Sequence, residues 1–503
     1  MRSARLLGAV LLALPLVAQD APRVTTLQLP KGTACTGQLH TDVDGDGRKD
    51  LVLAVRQSDP RRRAIQVHLQ QAGEPAFANE ASLPPYPVEA DVVAFTFADV
   101  APAKGRELVL FTSERAVAVT RGESGASEYT VLFSHAIVWP AAEREAVLPL
   151  GAARVDLDGN GSEDLLLPEP DGALLVANPA GGDAARRSVL RLPAWVSPIA
   201  SATNGAATMN GDSLRVQFEA DEGDEGAAER KRATTPLVAV LTRSPEPQVL
   251  DLEGDGVAEL VAVRNHRLHA LPLDGRAESF HRDLPVPQDR LALFDPSFDV
   301  QLVDVDGDRR LDLLLSSSAS RNDEIEVRMD LYRTRPDGTW PTRPDSRLRT
   351  QTLARPPQLV DVDGDGTLDL VACTLRIDAL RALTGGGDVA LEVQVNVFRG
   401  TGERFVTPAL LNQVLRLPTK SERGGGAFLQ VLPASGGELP ALLHREGDTL
   451  VLQPFEPDGA KVRLGSVRKR MPVADRARPV LLDPTDREVL VGNGSEVQFV
   501  RMR

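Results

Sequence analysis

Carboxylates recur at one fixed spacing in five places along this chain of 503 residues. Asp42, Asp44, Asp46 and Asp50 fill positions 1, 3, 5 and 9 of a nine-residue run, and Asp361, Asp363, Asp365 and Asp369 repeat it. Between them stand Asp156, Asp158, Asn160 and Asp164, then Asp251, Glu253, Asp255 and Glu259, then Asp304, Asp306, Asp308 and Asp312. Oxygen donors alone, at such intervals, are what a hard divalent cation such as Ca²⁺ takes. Carboxylates packed this closely repel one another unless a cation sits among them. The backbone carbonyl at position 7 (Arg48, Ser162, Val257, Arg310 or Thr367) would complete the shell. Glycine at positions 4 and 6 lets the chain curl so that the oxygens converge.

Asp-Gly and Asn-Gly clusters also build β-turns that need no metal. The recurring carboxylate at position 9 favours the metal. The Asp251 loop departs from the pattern, since the longer Glu253 and Glu259 fit the same cage less well. The Asp304 loop has Arg309 where the others have glycine, which demands an unusual backbone or a distorted turn.

An EF-hand would carry a bidentate Glu at position 12 and run on into a helix. Position 12 here is Leu53, Leu167, Ala262, Leu315 or Ala372, inside short apolar runs that read as buried strands. The loops therefore join strand to strand. First ligands stand at 42, 156, 251, 304 and 361, and Phe95–Val100 with Glu107–Phe111 repeats the pattern with its ligands lost, Asp99 falling midway between Asp42 and Asp156. Two further degenerate copies follow, at 428–432 with 438–443 and at 479–482 with 488–491. A period mostly of 53 to 57 residues, with about four short strands per unit, points to an all-β fold: a β-propeller of eight four-stranded blades. The last unit has three strand candidates, so Arg23–Leu29 is expected to close the ring as its fourth strand. Seven blades plus an insertion is the alternative.

The loops and the strands that follow them resemble the FG-GAP/VCBS repeats of integrin α-subunit propellers and many secreted bacterial proteins. Without Phe-Gly and Gly-Ala-Pro signatures, the bacterial VCBS-like branch is the better match. The resemblance implies a propeller that binds Ca²⁺ at Asp42, Asp44, Asp46 and Asp50 and at the matching positions of the other loops. Such propellers serve adhesion, scaffolding and, in some cases, polysaccharide cleavage.

Met1–Arg5 followed by the apolar Leu6–Leu14 reads as a secretory signal, residues 1–18, too short to span a membrane. A single propeller over 19–503, exported to the periplasm, cell surface or medium, is the expectation, with no transmembrane segment. The net charge of −14 becomes about −16 without the signal, and five bound Ca²⁺ would bring it to about −6. Much of the acidity is thus metal-site chemistry, and nucleic acid is excluded as a partner for want of a basic, aromatic face. Arg61–Arg63 reads as a solvated loop. Cys35 and Cys373 fall in the first and sixth blades, too far apart for a disulfide. An insertion around 200–245 contains a charged, glycine-containing stretch between Ser213–Phe218 and Pro236–Leu241, which could pair as a projecting hairpin. The glycine runs 385–387 and 424–426 have no helix after them and read as turns.

No nucleophile elbow, zinc-binding helix or Cys–His pairing stands in the sequence. His266 and His269 would point to opposite faces of a strand. Aromatic content is 4%, with Trp139, Trp195 and Trp340 the only tryptophans, which is thin for sugar platforms. The expectation is a calcium-stabilised module that binds a protein or carbohydrate ligand without catalysis. The alternatives are a polysaccharide lyase and a lectin on a similar propeller.

Overall fold

A computed structural model describes residues 23–502 except 59–61, 74–75, 102–104, 122–126, 136–146, 152–153, 158–160, 170–171, 185, 193–205, 208–215, 218–246, 265, 275–277, 288–296, 322–323, 376–388, 420–427, 474–477 and 493–495. Eight antiparallel sheets, each built on four strands, follow one another along the chain as the blades of a propeller. Blade 1 holds Thr33–Thr41, Asp50–Gln57, Arg62–His68 and Tyr86–Val88, and blade 2 holds Val92–Ala98, Glu107–Thr112, Arg115–Arg121 and Ser127–Ser134. Blades 3 to 6 open with Arg154–Val155, Gln248–Leu250, Ser297–Val303 and Gln358–Val360. Their second strands are Asp164–Glu169, Glu259–Arg264, Asp312–Arg321 and Asp369–Leu375. Blade 7 runs from Leu429–Leu432 through Ala441–Glu446 to Thr449–Asp458, whose two ends pair with Lys461–Leu464 and Lys469–Pro472.

Blade 8 takes three strands from the C-terminal end, Arg478–Asp483, Glu488–Gly492 and Glu496–Arg501. Its fourth is Arg23–Gln28, paired antiparallel with Arg23 opposite Arg501 and Gln28 opposite Glu496. The N-terminal strand therefore closes the ring, and the count is eight.

Second strands are buried almost from end to end, as in Asp50–Gln57 and Glu107–Thr112. Alternation is absent because both faces of a blade pack on neighbours, so branched apolar runs suit them better than an in–out pattern. One core joins Val52, Ala54, Ile65 and Val67 of blade 1 to Phe95, Phe97, Leu108 and Leu110 of blade 2. Another joins Leu27, Leu490 and Phe499 of blade 8 to Leu51, Leu53 and Val55 of blade 1, so burial at the closing seam continues that of the rest of the ring. Each Val, Leu, Ile or Phe among them contributes about 1.5–3 kcal/mol by leaving water.

Cys35 lies in blade 1 and Cys373 in blade 6, and both are free thiols. Arg62 and Arg63 do not form a solvated loop; they begin a strand, and Arg63 donates to the Val92 carbonyl at 3.1 Å. In the insertion, Ala206–Ala207 pairs with Val216–Gln217. Residues 236–241, the glycine runs 385–387 and 424–426, and the expected signal at 1–18 lie outside the described residues. Among the described residues no helix is long and apolar enough to cross a membrane.

Candidate metal centre

All five acidic loops sit at one structural place, the link from the first strand of a blade to the second, in blades 1, 3, 4, 5 and 6. Position 9 is in each case the first residue of the second strand: Asp50, Asp164, Glu259, Asp312 and Asp369. Backbone N–H groups fix the carboxylates. Asp361 accepts from Gly364 at 2.7 Å and Gly366 at 2.9 Å, and Asp304 accepts from Gly307 at 2.7 Å and Arg309 at 2.9 Å. Asp42 and Asp251 take the same bonds from the residues at positions 4 and 6. Position 5 accepts from the N–H of position 7, as Asp365 does from Thr367 at 2.8 Å.

The curl requires left-handed backbone at positions 4 and 6. Gly364 and Gly366 stand at φ 78° and 87°. Arg309 adopts the same conformation at φ 72°, so blade 5 keeps the regular turn despite its side chain and accepts the strain.

Three loops bring three carboxylates to within 4.8 Å of one another: Asp42, Asp44 and Asp50; Asp304, Asp306 and Asp308; Asp361, Asp363 and Asp365. No such trio forms among the described residues of the Asp251 loop, where Glu253 turns out to an ion pair with Arg282. In the Asp156 loop, Asp158 and Asn160 lie outside the described residues, while Asp156 accepts from Gly161 at 3.1 Å. The donor set in the three converging loops is oxygen throughout, pre-aimed by main-chain N–H groups, and fits a hard cation of the Ca²⁺ type.

Position 9 does a second job that sequence reasoning missed. Asp369 accepts the Val362 N–H at 3.0 Å with one oxygen and the Gly400 N–H at 2.9 Å with the other, so it ties the loop to the end of the third strand. Asp50 bonds Val43 and Gln70 in the same way, Asp164 bonds Leu157 and Asn178, and Asp312 bonds Val305 and Thr334. Burial, with the neighbouring carboxylates adding, pushes Asp50, Asp312 and Asp369 up to about 6, against the pull of these N–H donors. The degenerate loop Asp99–Glu107 keeps the loop side of this arrangement without the ligand pattern: one oxygen of Glu107 accepts from both Val100 and Ala101, each at 3.1 Å.

Position 8 links the loops of neighbouring blades at several seams. Arg106 donates its main-chain N–H to the Val43 carbonyl at 2.8 Å and holds Glu163 of the next blade at 2.9 Å. Glu163 N–H reaches Asp99, Leu311 N–H reaches Leu252, and Lys49 pairs with Asp483 across the closing seam. Arg487, nearly fully buried, plays the part in blade 8 by donating to the Pro433 and Leu439 carbonyls of blade 7. The charged residues Lys49, Arg106, Glu163 and Arg487, each just before a second strand, were the available signal.

A groove of about 800 Å³ opens between blades 6 and 7, with Asp361 and Asp363 on one wall and Pro433, Gly436, Glu438 and Pro457 on the other. His266 turns out to occupy a tight turn at φ 58°, not a strand, while His269 is buried in the next strand beside His281, ring centroids 6.1 Å apart. Burial lowers His68, His269 and His444 and takes His40 down to about 4, which keeps these histidines neutral.

Residues 304–372, spanning the loops of blades 5 and 6, match the family model of the FG-GAP-like repeat. No curated protein sequence matches the chain. Among solved structures, a lectin from Agrocybe aegerita that recognises non-reducing terminal N-acetylglucosamine is 14% identical, with 82% of this chain and 93% of that one covered and a TM-score of 0.38. The propeller of Dos1 is 10% identical, with 96% and 95% covered and a TM-score of 0.39. The Tc holotoxin pore of Photorhabdus luminescens is 13% identical, with 92% and 19% covered and a TM-score of 0.29. The protein is an eight-bladed β-propeller that carries an FG-GAP-like repeat at residues 304–372.

Proposed function

We propose that this protein is an exported, calcium-stabilised propeller that presents a binding surface and performs no chemistry of its own. The observation that carries the reading is the convergence of three carboxylates at the same loop in blades 1 and 6. Ca²⁺ neutralises the repulsion within a loop and fixes the crossing between the first and second strands. The position-8 bonds then pass that rigidity between the blades that they join. Loops of this kind bind calcium with a Kd of about 10⁻⁴–10⁻³ M, a range met outside the cell and not in a cytosol. The amino-terminal pattern Met1–Ala18 supports export.

The groove beside Asp361 and Asp363 is a concave place where such a ligand, protein or carbohydrate, would sit. A screen of carbohydrate and protein arrays, run in calcium and again in EDTA, tests the reading. Calcium-dependent retention of a ligand that is recovered unaltered supports it. Cleavage of a uronate-containing polysaccharide by the purified chain would replace it with a lyase.

A further inference from the structure

The loop Asp304–Asp312 has the same cage as Asp361–Asp369 and a different charge around it. Arg310 pairs with Asp308, and Arg333, from just past the third strand of blade 5, reaches Asp306 at 3.2 Å. Both guanidinium groups are sunk into the loop: Arg310 is 28% and Arg333 25% exposed, against 44% for Arg48 and 41% for Arg399, which lie over the other two cages. The Nε atoms of Arg310 and Arg333 are buried and, among the described atoms, lack a hydrogen-bond partner. The loop is also anchored without an ion, since the Leu311 N–H bonds the Leu252 carbonyl at 3.1 Å and the Arg309 carbonyl packs against Gly254.

We propose that the blade 5 loop is a guanidinium-locked copy of the metal site, in which Arg310 and Arg333 are the resident cations and calcium is kept out. The proposal rests on the calcium reading of the intact loops. A dication needs a free oxygen from each of positions 1, 3 and 5, and here Asp306 and Asp308 each commit one oxygen to a guanidinium and the other to a main-chain N–H. It would also have to approach two fixed positive charges, which repel it. In the blade 6 loop one guanidinium, Arg399, shares Asp363, while Asp365 is bonded instead by the Thr367 hydroxyl and remains open to an ion.

Calcium stoichiometry of the full chain, by isothermal titration and native mass spectrometry, tests this. R310Q/R333Q takes up one more calcium than the wild type. D306N binds as many as the wild type and loses the same stability in calcium and in EDTA, whereas D363N binds one fewer. A calcium lost in D306N, or none gained in R310Q/R333Q, overturns the lock. Should the double variant fail to fold, R333Q alone, altered outside the loop, must gain a calcium; no gain overturns the proposal. A wild type that binds no calcium refutes the reading beneath, yet a calcium gained on removing the arginines would still support the lock.

Discussion

Replacing Asp369 by alanine separates the two jobs assigned to position 9. The side chain is fully buried and accepts two main-chain N–H groups, from Val362 at 3.0 Å and Gly400 at 2.9 Å. Orphaning a buried donor costs about 1–3 kcal/mol, so the pair costs about 4 kcal/mol. The same substitution deletes a charge that burial disfavours. The carboxyl stands at about 6 in place of 3.8. At about 1.4 kcal/mol per tenfold, its removal returns about 3 kcal/mol at neutral pH. In EDTA the net loss is therefore about 1 kcal/mol. With calcium bound the charge is already compensated and that relief vanishes. A saturating ion also adds about 2 kcal/mol to the wild type at thirtyfold excess over its Kd, so the loss rises to about 6 kcal/mol. Urea denaturation followed by circular dichroism, in calcium and in EDTA, measures both. Midpoints are the quantity to compare, because a ring of repeats unfolds in more than one step. Equal losses in the two buffers would refute the compensation argument, and no loss in either would refute the buckle.

Gly400→Ala should unfold blade 6 or prevent its assembly, because a Cβ there would meet the Leu368 carbonyl oxygen at 2.0 Å; wild-type thermal stability in that variant would contradict the close approach. Deleting Arg23–Gln28 should lower the melting temperature by many degrees and expose Leu490 and Phe499 to a hydrophobic dye, since that strand alone covers the open edge of blade 8. In EDTA, stability should fall as pH rises from 4 to 7. Asp50, Asp312 and Asp369 titrate at about 6 when folded and 3.8 when unfolded, so the native state holds more protons across that window and acid favours it. Calcium should reverse the slope, because protons then compete with the ion; a calorimetric melting curve at each pH in both buffers decides it.

Much of the ring was legible from residue order because a blade is a local unit. The nine-residue loop between two apolar runs sets the second strand of each blade, and its period sets the blade count. The closing strand followed from an unpaired third strand at the other end. The convergence of the carboxylates at positions 1, 3 and 5 in blades 5 and 6 was legible for the same reason: it is made within one turn of chain. What escaped was made between turns. Arg106 meets Glu163 across 57 residues, and Lys49 meets Asp483 across 434. Position 9 read as a ligand only, because its second partner, such as Gly400, comes from the third strand. Arg309 foretold an unusual backbone correctly, but Arg333, which shares its cage, carries no local signal.

The most direct test compares Asp363→Ala with Asp99→Ala by melting temperature in calcium and in EDTA. Asp363 belongs to a converging trio, while Asp99 stands in the loop that has lost its ligands. The calcium account predicts that EDTA lowers the wild-type melting temperature by many degrees, that Asp363→Ala loses most of its deficit once calcium is chelated, and that Asp99→Ala is indifferent to the ion. Identical melting of the wild type in the two buffers, or equal losses for the two variants in calcium, would contradict it.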